Sequence, residues 1–227
     1  MSHSTATTQR RVRVGARALA RAGLVHAYGH CSARLDDAEF IVCAPRPMGL
    51  IEPGDDGTVV PIDGPLPGGV LGEVRIHQSI YRCRGDVGGI CRVQPPVTMG
   101  LSTMRLTPRA RHGPSSYFAP APPLWDHPAL VRDADAADAV AATLGDKSAL
   151  VLRGNGAVTV GATLEEAVVL AWFLEDAARV EHAVRAIDPQ DQVAVELTAD
   201  EARVRATWDG GILDRMWDHL TAGDPER

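Results

Sequence analysis

The sequence predicts a mixed α/β fold in which a central, mostly antiparallel sheet is flanked by helices. Short apolar segments bounded by glycine and proline turns are typical of strands. Two of these segments are joined by Gly154-Asn155-Gly156, a tight turn that predicts a hairpin. Helical periodicity is found near the N-terminus and again after Thr163. Helices and sheets that each bury one apolar face pack as layers around a shared core.

The first half of the chain predicts two helices and three strands. Residues 8–22 place apolar side chains on one stripe and end at Gly23, a typical helix stop. Residues 72–83 show the same spacing, with Ile76 and Ile80 one turn apart. The predicted strands, each bounded by turn residues, are 39–45, 57–63 and 87–94.

The second half begins with an irregular segment and continues with helices and strands. Residues 102–127 are rich in Pro, Ser, Arg and Gly and lack periodicity, which favours a lid or a binding loop. Residues 134–144 predict a helix, and residues 148–153 and 157–161 predict the two strands of the hairpin.

A long buried helix is expected after the hairpin. Thr163 and Glu166 have the spacing of a capping box, and the apolar sequence behind them continues the helix to about residue 185. The polar tail from Asp188 predicts a terminal helix around Ile212, Met216 and Trp217.

Composition favours one ordinary globular domain, with a core over residues 8–185 and a tail over 188–227. A net charge of −6 gives no electrostatic support for a nucleic-acid partner. The arginines near the N-terminus, from Arg10 to Arg21, are expected to form a solvated face. The sequence shows no secretory signal and no long apolar segment, so we expect a cytoplasmic protein without a membrane partner. The four cysteines lack metal-type spacing and are expected to be reduced thiols.

Polar residues concentrate at one unusual place in the predicted core. Arg92 and Gln94 lie two apart on the strand 87–94, so both side chains leave the same face. Glu73 and His77 lie four apart on the preceding helix and share one face as well. An interior strand that directs a cation and an amide to one point indicates a binding site.

The order of motifs resembles the class II aldolase/adducin superfamily over roughly residues 8–185. The resemblance implies a three-layer α/β/α sandwich and a homotetramer with active sites near subunit boundaries. The first and last motifs look most like the branch that contains decarboxylases of aromatic or ring-cleaved hydroxy acids. The matching motifs are "GLVHAYGHCSAR" (23–34), "APRPMGLIEPGD" (44–55), "GEVRIHQSIYRCRGDV" (72–87), "ICRVQPP" (90–96) and "VLRGNGAVTVG" (151–161).

The resemblance also implies a metal site that this sequence has altered. Relatives bind a divalent metal, such as zinc or manganese, with two strand histidines and one turn histidine. The corresponding positions here are Arg92, Gln94 and Asn155. Arginine has no lone pair for a metal, and amide oxygens are poor ligands for transition metals. We therefore expect no metal cofactor, although a rearranged ligand set of Glu73, His77 and His112 is an alternative.

Seven residues are candidates for the site. The resemblance gives Glu73 an acid/base role, and His30 and His112 are expected to share the proton transfer. Arg92 would replace the metal as the positive charge and bind a substrate carboxylate. Three further residues are expected to bind the substrate: Gln94, Asn155 and His77.

Purely structural roles for some of these residues are alternatives. Arg92 could pair with Glu73 as a structural salt bridge, and His77 could only orient that carboxylate. The segment around Met48 fits a substrate phosphate poorly, which disfavours a sugar phosphate. Three residues could line the rim of the site: His26, Tyr28 and Arg46.

Two functions from different classes follow. The first is a metal-independent lyase, a decarboxylase or a retro-aldol enzyme, acting on a small hydroxylated or aromatic carboxylic acid. The second is a non-catalytic binding or assembly protein, for which the adducin head domain is the precedent within the superfamily. Retention of Glu73, His30, His77 and His112 favours the lyase.

Overall fold

The computed structural model describes residues 3–227, so the first two residues of the predicted domain lie outside the described range. Seven α-helices and seven strands are found along this range. The helices are α1 (His3–Arg21), α2 (Arg75–Cys83), α3 (Pro96–Thr103), α4 (Ala134–Leu144), α5 (Leu164–Ile187), α6 (Ala199–Arg205) and α7 (Ile212–Thr221). The strands are β1 (His30–Arg34), β2 (Glu39–Val42), β3 (Thr58–Pro61), β4 (Gly89–Val93), β5 (Leu124–Trp125), β6 (Ala149–Leu152) and β7 (Gly156–Gly161).

The strands form one sheet in the order β3-β2-β1-β4-β7-β6-β5. Every neighbouring pair is antiparallel except β5 and β6, which are parallel. The predicted antiparallel sheet and the hairpin between β6 and β7 are therefore confirmed. At the centre of the sheet, β1 pairs with β4 so that His30 lies opposite Arg92.

Helices cover both faces of the sheet, which confirms the three-layer architecture. Helices α1, α5 and α7 share one apolar core with alternate strand residues such as Cys91 and Val93. Helices α2 and α4 pack together on the opposite face, in a core that includes Ile90 and Val160. Because strand side chains alternate between faces, Arg92 belongs to the α2/α4 side together with Ile90. None of the helices within residues 3–227 is long and apolar enough to span a membrane.

Two elements near the site were not predicted. Strand β1 alternates polar residues with the apolar Cys31 and Ala33, but it contains none of the β-branched or bulky aromatic residues that are typical of strands. Helix α3 begins at the second of the two prolines that follow β4, with Pro95 as its N-cap and Pro96 as its first residue. The Glu175 carboxylate of α5 caps this helix, accepting hydrogen bonds from the backbone N–H groups of Val97 and Thr98 at 3.0 Å each.

The predicted solvated face of N-terminal arginines is wrong for Arg13 and Arg17, which are buried. Arg17 binds the Asp224 carboxylate through two nitrogens at 2.7 and 2.8 Å, and Arg13 binds Glu226 in the same way. We call this cluster the C-terminal clamp, since it fixes the chain end to α1. Its members are Arg13, Arg17, Arg21, Asp224 and Glu226.

Candidate active site

A cavity of about 650 Å³ opens beside the ends of β1 and β4. Five of the seven predicted site residues line it: His30, Glu73, Arg92, Gln94 and Asn155. The structure thus brings together residues from two strands, one turn and the segment before α2. The volume lies within the range of small-molecule sites, about 300–1,000 Å³.

Two glycines allow these elements to come together. Gly29 has a φ of +130°, and a Cβ there would lie 2.7 Å from the Val25 side chain and 3.2 Å from the Arg92 carbonyl oxygen. Gly156 has a φ of +101°, and a Cβ there would lie only 2.0 Å from the Val93 carbonyl oxygen. Any other residue at these positions would push β1 or β7 away from β4. Glycine is thus required to hold His30 and Asn155 beside Arg92.

Arg92 and Glu73 form an ion pair at the cavity. Their side chains approach to 3.2 Å, and Arg92 is 2% exposed while Glu73 is 17% exposed. Burial lowers the pKa of Arg92, and the attraction of Glu73 offsets only part of that shift. Pairing with Glu73 therefore does not fully compensate the Arg92 guanidinium for the hydration that it loses on burial.

Four buried polar atoms around the cavity have no hydrogen-bond partner among the residues that the structure describes. Two can donate or carry a proton, His30 Nε2 and Arg92 Nε. Two can accept, Glu73 Oε1 and Gln94 Oε1. Buried polar atoms are normally paired, because an unpaired group loses its hydration without compensation. A ligand that carries both an anionic oxygen and hydroxyl groups would satisfy all four.

His77 lies behind the cavity and does not line it, so the structure does not bring this predicted substrate-binding residue to the cavity. The side chain is fully buried. Its Nε2 lies 2.8 Å from His30 Nδ1, and its Nδ1 lies 2.6 Å from the Ser32 hydroxyl. Burial, followed by the charge of Arg92, lowers the pKa of His77 to about 3. His77 is thus a neutral support for His30.

His112 is also separated from the cavity. Its Nε2 lies 2.9 Å from the Asp176 carboxylate of α5, and its Nδ1 lies 3.0 Å from the Ser115 hydroxyl. The surrounding segment 102–127 packs against α5, where Arg111 binds Glu181 at 2.7 Å. None of its residues lines the cavity. Within one chain, the structure therefore does not bring His112 or this segment to the cavity, and a catalytic His112 stays a prediction.

Comparison with known proteins identifies the family. Residues 10–182 match the class II aldolase and adducin N-terminal domain. The chain belongs to the class II aldolase and adducin family. A 3,4-dihydroxyphthalate decarboxylase from Terrabacter sp. (strain DBF63) is 26% identical over 199 residues, which are 79% of this chain and 82% of the relative. The protein of the same name from Arthrobacter keyseri is 27% identical over 177 residues, 70% and 71% of the two chains.

Solved structures show the class II aldolase fold. An L-fuculose 1-phosphate aldolase from Glaciozyma antarctica PI12 superposes with a TM-score of 0.77 at 19% identity. The match covers 95% of this chain and 89% of that one. This chain is thus a class II aldolase-like member of a lyase family, with decarboxylases among its relatives.

The divalent metal of class II aldolases does not fit the residues found here. The buried Arg92 guanidinium lines the cavity, and a second cation beside it would be repelled. Glu73 is already paired with that guanidinium. Among residues 3–227, no three His, Cys, Asp or Glu side chains are grouped closely enough to hold an ion. The alternative ligand set of Glu73, His77 and His112 is therefore not brought together.

Further cavity residues were missed in the sequence. Arg132 lines the cavity and has no ion pair or hydrogen bond to any described residue. Tyr28 and Arg46 line it as expected, whereas His26 does not. Of the three arginines that line the cavity, Arg46 is paired with Asp55 and Arg92 with Glu73, so the unpaired Arg132 leaves the cavity cationic, which favours an anionic ligand. No local pattern marks Arg132, since it lies in the irregular stretch before α4.

Proposed function

We propose that this class II aldolase family member is a decarboxylase for a hydroxylated aromatic carboxylic acid, with Arg92 as its fixed positive charge. The observation that carries the proposal is the buried Arg92 guanidinium, which faces a cavity of about 650 Å³ and is accompanied by one carboxylate. The two relatives named 3,4-dihydroxyphthalate decarboxylase support the reaction class. The cationic cavity supports a carboxylate substrate.

The unpaired atoms indicate how such a substrate would bind. Arg92 Nε would donate to a carboxylate or phenolate oxygen. The planar guanidinium of arginine is well suited to binding such oxygens. Glu73 Oε1 and Gln94 Oε1 would accept from ring hydroxyl groups. Asn155, at the tip of the turn, would complete the polar wall. A ligand with neighbouring hydroxyl and carboxylate groups would give a hydrogen-bond partner to each of the four unpaired atoms at the cavity.

The chemistry follows from this arrangement. Glu73 removes the proton of a ring hydroxyl and delivers it to the ring carbon that bears the carboxylate. The bond between that carbon and the carboxylate then breaks, carbon dioxide leaves, and the electron pair restores the aromatic ring as a phenolate. A proton from water regenerates the hydroxyl group. Arg92 lowers the barrier because its charge faces the oxygen on which negative charge develops.

A non-catalytic role is the second candidate, and one observation favours it. The 3.2 Å approach of Arg92 to Glu73 is also what a structural salt bridge would show. In that case the family fold would serve binding or assembly. The two candidates differ in whether a bound acid is converted.

The test is release of carbon dioxide from a panel of benzoates, with and without neighbouring hydroxyl groups, including 3,4-dihydroxyphthalate. We expect turnover that a chelator does not reduce and that added zinc or manganese does not raise. Arg92→Lys should lower kcat/KM by about 100-fold, because a point charge cannot reproduce the planar donor pair. The exposed Arg203, which pairs with Asp200, provides the matched control Arg203→Lys, with unchanged kinetics.

Three outcomes separate the candidates. Turnover that is lost in chelator and restored by metal would contradict a metal-independent mechanism. Thermal stabilisation by an acid without carbon dioxide release would favour the binding protein, because a ligand stabilises the folded state whether or not it reacts. Turnover that Arg92→Lys leaves unchanged would remove Arg92 from the mechanism.

We also propose that the active form is a homo-oligomer, a tetramer as the family resemblance implies. Tyr28, Leu71 and Leu130 surround the cavity and are 68%, 47% and 46% exposed. Large apolar side chains grouped at one place on a surface favour a covered interface. Light scattering coupled to size exclusion would measure the mass, and a monomer at micromolar concentration would contradict the proposal.

A further inference from the structure

A line of buried hydrogen bonds connects the cavity to the interior. His30 Nδ1 lies 2.8 Å from His77 Nε2, and His77 Nδ1 lies 2.6 Å from the Ser32 hydroxyl. The Ser32 hydroxyl lies 2.9 Å from the Tyr81 hydroxyl. His30 Nε2, at the cavity end, has no partner among the described residues. We call these four residues the His30 relay.

Three arrangements of protons connect the His30 relay when both imidazoles are neutral. In the first, Tyr81 donates to Ser32, Ser32 donates to His77, and His77 donates from Nε2 to His30 Nδ1. His30 then carries its proton on Nε2, facing the cavity. In the second, every donor and acceptor is reversed, and His30 presents a lone pair at Nε2. In the third, the Ser32 oxygen accepts from both Tyr81 and His77 Nδ1, and His30 again presents a lone pair at Nε2, because a neutral imidazole has one donor and one acceptor nitrogen.

The two buried hydroxyl protons distinguish these arrangements. Within residues 3–227, Tyr81 O–H bonds only Ser32, and Ser32 O–H bonds only His77 and Tyr81. The second arrangement leaves the Tyr81 proton unpaired in the core, and the third leaves the Ser32 proton unpaired. Buried donors without partners are strongly disfavoured. The first arrangement uses every proton of the relay and leaves only the cavity end open.

We propose that Tyr81 and Ser32, acting through His77, hold His30 as its Nε2–H tautomer, so that His30 donates a hydrogen bond to an anionic oxygen of the substrate. The part that concerns the substrate rests on the proposed function. His30 then stands beside Arg92 Nε, a second unpaired donor at the same cavity. The two donors face the same ligand, and Glu73 is left as the group that moves the proton.

Electrostatics keep the relay neutral. Burial, then the neighbouring His77 and Arg92, lower the pKa of His30 well below its usual value. An imidazolium at His30 would also place a second cation beside Arg92. A neutral His30 with its proton on Nε2 can donate but cannot act as a base at that nitrogen. In this arrangement His77, Ser32 and Tyr81 are positioning residues, since none of them lines the cavity.

Nitrogen NMR of protein labelled with ¹⁵N-histidine, without any ligand, tests the tautomer directly. Long-range couplings from the ring protons show which nitrogen carries the proton. A His30→Asn variant assigns the signal among the eight histidines. We expect His30 and His77 both to be Nε2–H tautomers between pH 6 and 8.

Ser32→Ala tests the origin of this preference. Alanine fits the buried position of Ser32, so the variant should fold. Without the hydroxyl, His77 Nδ1 has no partner in either tautomer, and the Nδ1–H tautomer of His30 becomes populated. With an active substrate, kcat should fall by the same factor as the Nε2–H fraction, with KM little changed. Ser116→Ala is the matched control, since the buried Ser116 hydroxyl donates to the Gly113 carbonyl away from the cavity.

The results separate this inference from the proposed function. An Nδ1–H signal for His30 in the unaltered protein, or the same tautomer fraction in Ser32→Ala, would overturn the inference. Both readouts need no substrate, so they hold whether or not any acid is decarboxylated. Decarboxylation together with an Nδ1–H His30 would overturn only the assignment made here.

Discussion

Replacing Arg92 by Met and Glu73 by Gln together removes the ion pair of the cavity while nearly preserving side-chain volume. We expect the double variant to be more stable than the natural chain by about 1–2 kcal/mol. Replacement of a buried ion pair by neutral residues of similar size is often neutral or stabilising by about 1–4 kcal/mol. The lower part of this range applies because Glu73 is 17% exposed and keeps part of its hydration.

The expected gain in stability follows from two opposing effects on the Arg92 guanidinium, its burial and its pairing with Glu73. Burial lowers the pKa of this guanidinium more than the pairing with Glu73 raises it. At neutral pH the group is charged in both the folded and the unfolded state, so the lowered pKa marks a cost to the folded state. Removing the charge removes that cost. The single variant Arg92→Met should be less stable than the double variant, because it leaves the Glu73 carboxylate without its cation.

Urea unfolding followed by tryptophan fluorescence measures the effect as a change in midpoint at constant slope. The matched control is the double variant Arg17→Met with Asp224→Asn in the C-terminal clamp, which should lose about 2 kcal/mol or more because other buried clamp charges lose partners. A loss of stability in the cavity variant comparable to that of the control would refute the reasoning. The Arg92–Glu73 pair would then be structural, and the non-catalytic function would be favoured.

Two further predictions concern charge at the clamp and at the rim. Burial alone would raise the pKa of Asp224, but hydrogen bonds, from Arg17 foremost, lower it to about 2 from the usual 3.8. As the pH falls, the unfolded state therefore takes up this proton at a higher pH than the folded state does. Stability should fall as the pH drops from about 4 towards 2. Asp224→Asn should flatten this part of the unfolding curve, and the exposed Asp200→Asn should not. Arg132→Ala should raise the KM for a dicarboxylate about fivefold without changing kcat, because an exposed charge contributes about 1 kcal/mol of binding free energy. The KM for a monocarboxylate should not change.

Much of the fold could be predicted because its signals are local. Helix α5 has an apolar run long enough to exclude a strand, and Thr163 accepts a hydrogen bond from the Glu166 backbone as its N-cap. The Glu166 side chain, however, reaches the Ala162 N–H rather than closing a capping box at Thr163. The full capping box is found at Thr198 and Glu201, where α6 begins. Local patterns thus located helix starts better than they located side-chain partners.

The position of His77 could not be predicted because the helix does not begin where its pattern begins. Residues Gly72–Val74 form a 3-10 turn before α2. Such a turn has three residues rather than 3.6 per turn, which changes the direction of Glu73 relative to α2. Glu73 consequently faces the cavity, while His77 faces Ser32 on β1. An i, i+4 spacing places two residues on one face only within a continuous α-helix.

The C-terminal clamp was missed for a different reason. Arg17 and Asp224 are separated by 207 positions, and no periodicity connects them. A row of arginines on a helix has the same appearance in sequence whether its partners are water or a distant chain end. Only the tertiary structure distinguishes the two, because the return of the chain through α7 brings Asp224 to α1.

The side chains at positions 92, 94 and 155 form a chemically consistent wall of the cavity. The Arg92 guanidinium is paired with one carboxylate, Glu73, and stands beside the neutral imidazole of His30. Gln94 and Asn155 carry amides, which can both donate and accept and which tolerate a neighbouring charge. Gln94 indeed presents an unpaired oxygen at the cavity. Residues that only filled space would be apolar at these positions, whereas a wall of one cation and two amides is suited to recognising an oxygen-rich anion.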